Sequence, residues 1–174
     1  RELDVDVAGL RVLDAGASTG GFTDCVLQHG AAEVVAVDVG HGHLHPRIRS
    51  DPRVRVIERC NVRHLRVDDI GGPVDAVVAD LSFISLTLVV PALVGVVRPG
   101  GQLVLLVKPQ FEVGRRQASR GRGVITDPAL HDQACNAVEQ ALVDAGAAVL
   151  RRIASPVPGA EGNREFFVHA RVPS

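Results

Sequence analysis

Apolar residues along this chain come in short runs that tend to end on an acid or a glycine. Leu10-Arg-Val-Leu-Asp14, Glu33-Val-Val-Ala-Val-Asp38, Arg53-Val-Arg-Val-Ile57, Val74-Asp-Ala-Val-Val-Ala-Asp80 and Gln102 to Lys108 have the length and β-branched content of buried strands. Helical spacing fills the intervals. Phe22 to Gln28 predicts a helix closing near Gly30, and Leu86 to Val97 predicts a second. A third starts at Asp127-Pro128, with an acid at the cap and proline at the first helical position. Leu130, Ala134, Ala137, Val138, Ala141 and Leu142 then mark one face, and Gly146 ends it. Apolar strands alternating with helices predict an α/β domain, a mostly parallel sheet with helices on both faces. Ala147 to Ile153 and Glu165 to Ala170 read as the last two strands. The short link Pro156 to Asn163 predicts that this final pair is antiparallel. One domain over residues 1–174 is expected, with a long, aperiodic Gly- and Arg-rich loop from Pro109 to Thr126.

Composition narrows the setting. Cys25, Cys60 and Cys135 lie far apart and form neither a metal-ligand spacing nor a disulfide framework, so a reducing, cytoplasmic compartment is expected. No apolar stretch reaches the roughly 20 residues that span a bilayer, and no secretory h-region is evident. Net charge is only -1, so the domain as a whole is no strong polyanion binder. Of 19 Lys and Arg residues, Lys108 is the single lysine, set directly after the apolar run Leu103 to Val107. A buried lysine can give up its proton where an arginine cannot, which makes this amine a candidate for lysine-specific chemistry. With five Phe and no Tyr or Trp, a base-stacking sheet surface is not expected.

The turn after the first strand, Asp14-Ala-Gly-Ala-Ser-Thr-Gly-Gly-Phe-Thr23, brings backbone close to a ligand at a helix N-terminus. Its pattern, Gly16-x-x-x-Gly20-Gly21, departs from the dinucleotide fingerprint at the second glycine. Ser18 stands where a pyrophosphate needs bare backbone. S-adenosylmethionine is therefore the expected cofactor. The alternatives are NAD(P), which would make the chain an oxidoreductase, and a purely structural turn. Asp14, Gly16, Ser18, Thr19, Gly20, Gly21 and Phe22 are the candidates from this segment. Asp38 and Val39 follow the second strand, where an acid can accept from a ribose diol. Asn61 and Val62 follow the third, where an amide can meet an adenine edge or merely shape a surface turn.

Asp80 and Lys108 end the fourth and fifth strands, and in an open parallel sheet those ends share the ligand crevice. The pair is either a structural salt bridge or a device that orients a sugar hydroxyl and takes its proton. Glu165 opens the last strand and by topology can face the same cleft. Arg115, Arg116, Arg120 and Arg122 fall in the loop after Lys108 and suit phosphate contacts, or form a solvated loop. His41, His43 and His45 alternate without an accompanying acid or cysteine. They read as a polar wall, a surface loop or, least favoured, metal ligands; no metal is expected.

Four separated segments carry a resemblance: the glycine turn, Ala79-Asp-Leu-Ser-Phe-Ile84, Val107-Lys-Pro-Gln-Phe-Glu112 and Gly162-Asn-Arg-Glu-Phe-Phe167. Together they resemble the TlyA (haemolysin A) branch of the FtsJ-like ribose 2′-O-methyltransferases. The resemblance implies a seven-stranded Rossmann-like sheet with an antiparallel last strand, S-adenosylmethionine as donor, and a ribosomal RNA cytidine 2′-hydroxyl, in RNA or a ribosomal subunit, as acceptor. It implies catalytic roles for Asp80, Lys108 and Glu165, methionine contacts near Gly16, Ser18 and Gly21, and a ribose contact at Asp38. The family's first catalytic lysine lies upstream of the first strand, and Arg1 to Gly9 holds none. The chain therefore reads as the C-terminal part of a longer protein whose S4-like RNA-binding domain precedes it. A cofactor-binding module inactive on its own is the remaining alternative. The haemolysin label suggests membrane attack, but no basic amphipathic membrane helix is present.

Overall fold

The apolar runs assemble into one seven-stranded sheet of order β3-β2-β1-β4-β5-β7-β6 in a computed structural model, which describes residues 3–113 and 123–174. The strands are β1 (Arg11–Ala15), β2 (Glu33–Val37), β3 (Val54–Ile57), β4 (Val74–Ala79), β5 (Val97–Val107), β6 (Ala148–Ala154) and β7 (Phe166–Arg171). Pairing from β3 through to β5 is parallel, and β7 runs antiparallel between β5 and β6. The expected antiparallel final pair is thus present, and β7 alone reverses direction.

Burial explains why the strands were readable. Val12, Leu13, Val34, Val35, Val37, Val77, Ala79, Leu103, Leu105 and Val107 are fully enclosed, as runs covered on both sides must be. Helices α1 (Gly21–Gln28) and α2 (Pro46–Arg49) lie on one face, packing Val26, Leu27 and Ile48 over Val12, Val34 and Ala36. Helices α3 (Val90–Gly95) and α5 (Pro128–Asp144) cover the other, over Leu13, Val35, Val77 and Leu105. Helix α4 (Pro109–Glu112) directly follows β5.

Three expectations change. The helix expected over Leu86 to Val97 is a 3-10 turn, Leu86–Leu88, followed by the shorter α3, because Val97 already pairs with Val74 in the sheet. Strand β5 accordingly starts before the Pro99-Gly-Gly101 turn, with a register shift there. The loop expected from Pro109 begins instead with the four residues of α4, for which Pro109 supplies a preset first turn. Asp127 caps α5 as expected, accepting from the Ala129 N–H at 2.9 Å. Among the described residues no helix is long and apolar enough to cross a membrane.

Candidate functional site

The parallel strands β1, β2 and β4 deliver their carboxyl ends to one rim, and a cavity of about 530 Å³ opens there. That volume is within the range of small-molecule sites. Gly16, Ser18, Asp38, Val39, Asn61, Val62 and Asp80, all named from the sequence, lie on its wall. A second concavity, about 420 Å³, lies on the α1 side against Val78, Val104 and Phe167 and is apolar apart from Cys25 and His29. Charged groups converge on the first, which is the candidate site.

Gly16 sets the depth of the turn. Its φ of 87° suits glycine, and a Cβ there would run into the Asp80 carbonyl and the Leu81 side chain. Below it, Asp14 is wholly buried at the end of β1 and accepts the Thr23 hydroxyl proton at 2.6 Å, tying strand to helix. Burial pushes its carboxyl up to about 6, and its Oδ1 has no hydrogen-bond partner among the described residues. Asp14 therefore supports the cavity from beneath rather than forming its wall. Thr19, Gly20, Gly21 and Phe22 also lie off the wall. Gly20 caps α1, with Leu44 and Ile48 pressed against it, and Phe22 turns to the apolar concavity beside Phe167.

Asp38 is anchored through main chain. Its Oδ2 accepts from Ser18 N–H at 2.8 Å and its Oδ1 from Gly40 N–H at 2.6 Å, which aims the carboxylate while leaving a lone pair on each oxygen. Asn61 uses its Oδ1 to cap the 3-10 turn Val62–His64 through Arg63 N–H at 3.0 Å, so its NH₂ remains for the cavity. The turn-shaping reading of Asn61 is therefore what its side-chain oxygen does, while the residue also lines the cavity. The three histidines separate: His41 lies 3.7 Å from Glu58, His45 caps α2 by accepting from Arg47 N–H at 3.2 Å, and His43 alone reaches the cavity wall. No group of three or more metal-ligating side chains occurs among the described residues.

Across the rim, the Lys108 amine meets Asp80 Oδ1 at 2.5 Å and donates to Ser82 Oγ at 3.1 Å. The first contact is a charge pair rather than an aligned hydrogen bond, and Oδ1 has no other donor among the described residues. The lysine side chain is only 13% exposed while that of Asp80 is 40% exposed, so the amine sits behind an acid open to solvent. Glu165 is buried close by. Burial raises its carboxyl, and the Lys108 charge and a Gln110 hydrogen bond draw it back down. Gly159 permits this packing, since a Cβ there would overlap the Glu165 carboxylate. The three acceptor-side candidates are therefore brought together. Arg115, Arg116, Arg120 and Arg122 lie outside the described residues.

Besides Ser82, four residues were not singled out from the sequence. Phe83 is 91% exposed at the cavity wall with φ 65°, and its ring lies 5.2 Å from that of Phe111. Asn163, buried, accepts from Ile125 N–H at 3.0 Å and donates to the Gly123 carbonyl at 3.0 Å, fixing the chain just before Glu165. Arg59 and Arg63 are exposed on either side of Cys60 and Asn61, close to the rim. Phe83 was visible as an aromatic in a scarce set. Asn163 falls within a segment that carries the resemblance, and Arg59 and Arg63 gave no signal in a single sequence.

The profile of the FtsJ-like methyltransferases matches residues 2–172. The chain is 53% identical over 167 residues to the 16S/23S rRNA (cytidine-2′-O)-methyltransferase TlyA of Mycobacterium tuberculosis, covering 96% of this chain and 62% of that protein. It spans less than two thirds of that relative's length. A solved structure of the hemolysin-named protein of Streptococcus thermophilus superposes with a TM-score of 0.95 at 41% identity, over 99% of this chain and 62% of that one. An S-adenosylmethionine-dependent methyltransferase of Listeria monocytogenes aligns with a TM-score of 0.73 at 16% identity, over 99% and 95%, and bears on the fold alone: a Rossmann-like methyltransferase sheet.

Proposed function

The chain belongs to the FtsJ-like methyltransferase family, and from that premise we propose that it uses S-adenosylmethionine to methylate the 2′-hydroxyl of a cytidine in ribosomal RNA. The observation that carries this reading is the meeting of Lys108, Asp80, Ser82 and the buried Glu165 at the edge of one rim cavity. Residues 1–174 would serve as the methyltransferase domain of a longer protein acting on RNA or ribosomal subunits in the cytoplasm.

The cavity suits the cofactor on three counts. Gly16 packs against the Asp80 carbonyl with no Cβ between, so that bare backbone forms the wall, Asp38 presents a carboxylate whose orientation is fixed, and exposed Val39 offers an apolar surface for a nucleobase. When bound, the cofactor supplies a methyl group already activated by its sulfonium. The protein then has to align an acceptor hydroxyl and take its proton. In its neutral form the Lys108 amine would take that proton and become the ammonium whose charge Asp80 and Glu165 balance. Asp80 and Ser82 hold the amine, which restricts its approach, and Glu165 supports it from the buried side. Exposed Phe83 offers a face on which a nucleobase can stack, and exposed Arg59 and Arg63 offer guanidiniums to the phosphates, a role the sequence also suits to Arg115, Arg116, Arg120 and Arg122, which lie outside the described residues.

The test is transfer of a labelled methyl group to unmodified ribosomal subunits, with S-adenosylhomocysteine binding measured in parallel. Binding together with alkali-resistant label in the RNA is the expected result. Label on a base rather than on ribose would overturn the acceptor assignment, and binding of NAD in place of S-adenosylhomocysteine would overturn the cofactor.

A further inference from the structure

We propose that Glu112 is a positioning residue: it clamps the loop after β4 to helix α4 so that Ser82 and Phe83 keep their places around the Lys108 amine. This rests on the methyl-transfer reading for its purpose, though not for its geometry. Glu112 ends α4, four residues beyond Lys108, which is the N-cap of the same helix. Its Oε2 accepts the Ser85 hydroxyl proton at 2.5 Å and its Oε1 accepts from Leu86 N–H at 2.8 Å. Ser85 in turn caps the 3-10 turn that follows, accepting from Thr87 N–H at 3.2 Å.

Two segments, residues 80–86 and 108–112, are thereby fastened by three successive contacts. Lys108 meets Asp80 and Ser82, Phe111 stacks against Phe83, and Glu112 holds Ser85 and Leu86. The last contact matters most for geometry. Ser82 and Phe83 are exposed, so little packing confines them, and Phe83 stands in the left-handed region that an aromatic side chain disfavours. Without a fixed far end, that residue would relax to an ordinary conformation and carry its ring away.

The clamp is also an unusual use of an acid. Burial raises the Glu112 carboxyl, and the groups that draw it back are the neutral donors of Leu86 and Ser85, with no cation set against it among the described residues. Placing a carboxylate among neutral partners is unfavourable unless both oxygens are satisfied, and here both are. An apolar residue would fill the space at less cost but could not hold a hydroxyl and an amide together.

Glu112→Ala, Glu112→Gln and Ser85→Ala, made in the whole chain, test this. Glutamine can still accept from Leu86 and donate to Ser85, so Glu112→Gln should behave nearly as the parent. In Glu112→Ala, exchange of the Leu86 amide should rise about tenfold and the Phe83–Phe111 ring contact seen by NMR should vanish, with Ser85→Ala intermediate. S-adenosylhomocysteine affinity should stay within about twofold, because Glu112 touches none of Gly16, Ser18 and Asp38, and the Ser82 and Phe83 it holds are assigned to the acceptor. The kcat for methyl transfer should fall about tenfold with cofactor KM unchanged. An intact ring contact in Glu112→Ala, or a Glu112→Gln protein as impaired as Glu112→Ala, would overturn the proposal. If Glu112→Ala does not fold, parent-like exchange and ring contact in Ser85→Ala would overturn it equally. Absence of methyl transfer by the parent would count against the activity alone, since exchange and ring contact are read without it.

Discussion

On the β1–β2–β3 side of the rim, the groups facing the cavity are aimed by main chain; on the β4–β5–β7 side they are aimed by other side chains. Asp38 is held by two backbone N–H groups, and Gly16 shapes the wall through its own backbone. Lys108 is held by Asp80 and Ser82, and Glu165 by burial beside Lys108 and Gln110. Under the proposed methyl transfer, the difference follows from what each half would have to do. A cofactor of fixed shape can be met by a fixed backbone, whereas a group that exchanges a proton must be a side chain whose charge is balanced by neighbours. The two halves should therefore fail separately.

The sharpest break is to remove the key group of each half in turn. Lys108→Ala should lower methyl transfer about 10²- to 10⁴-fold, the span of a positioned proton acceptor, while S-adenosylhomocysteine affinity changes only a few-fold. Asp38→Ala should do the converse, weakening affinity by about 1.5–3 kcal/mol as charge-assisted hydrogen bonds are lost. Calorimetric titration beside a transfer assay reads both. Equal losses of binding in the two variants would show that the halves are not separable.

An effect on stability, with no change of binding or rate required, probes the support beneath the cofactor half. The Asp14 carboxyl, raised from 3.8 to about 6 by burial, differs between folded and unfolded chains by about 3 kcal/mol of protonation free energy. Between pH 4 and 6 the folded protein holds a proton that the unfolded chain has released. Stability from this source therefore falls as pH rises through that window and is flat above it. In Asp14→Asn, which can still accept from Thr23, that slope should disappear. Urea unfolding at pH 4, 5, 6 and 7 compares the two proteins, and parallel curves would show that Asp14 titrates normally.

The same contrast explains what the sequence disclosed. Strands were legible because both faces are buried, so whole runs such as Val74 to Ala79 had to be apolar. The acids at their ends were legible because parallel topology puts every carboxyl end on one rim. Which residues of the glycine turn face the cavity was not legible, since the first turn of α1 rotates Phe22 to the opposite face. Glu112 and Asn163 were hidden for another reason. Their roles consist of contacts to residues 26 and 38 positions away, and a single sequence carries no trace of such pairings. Helix α4 escaped because four residues are too few to show a period.

Phe83 offers the smallest effect and the cleanest separation of acceptor from cofactor. It is the most exposed large apolar side chain of the described structure, so deleting its ring removes almost no buried surface. Its positive φ also means that a smaller residue loses nothing by relaxing there. Phe83→Ala should therefore leave the melting temperature within a degree or two and cofactor affinity unchanged. Base stacking on an aromatic ring is worth about 1–3 kcal/mol, so the RNA concentration for half-maximal transfer should rise about tenfold. Phe83→Trp, which keeps a stacking face, should recover most of it. A rise that Phe83→Trp fails to reverse would mean that the ring acts through its contact with Phe111 instead, and the loss would then belong to loop geometry rather than to the nucleobase.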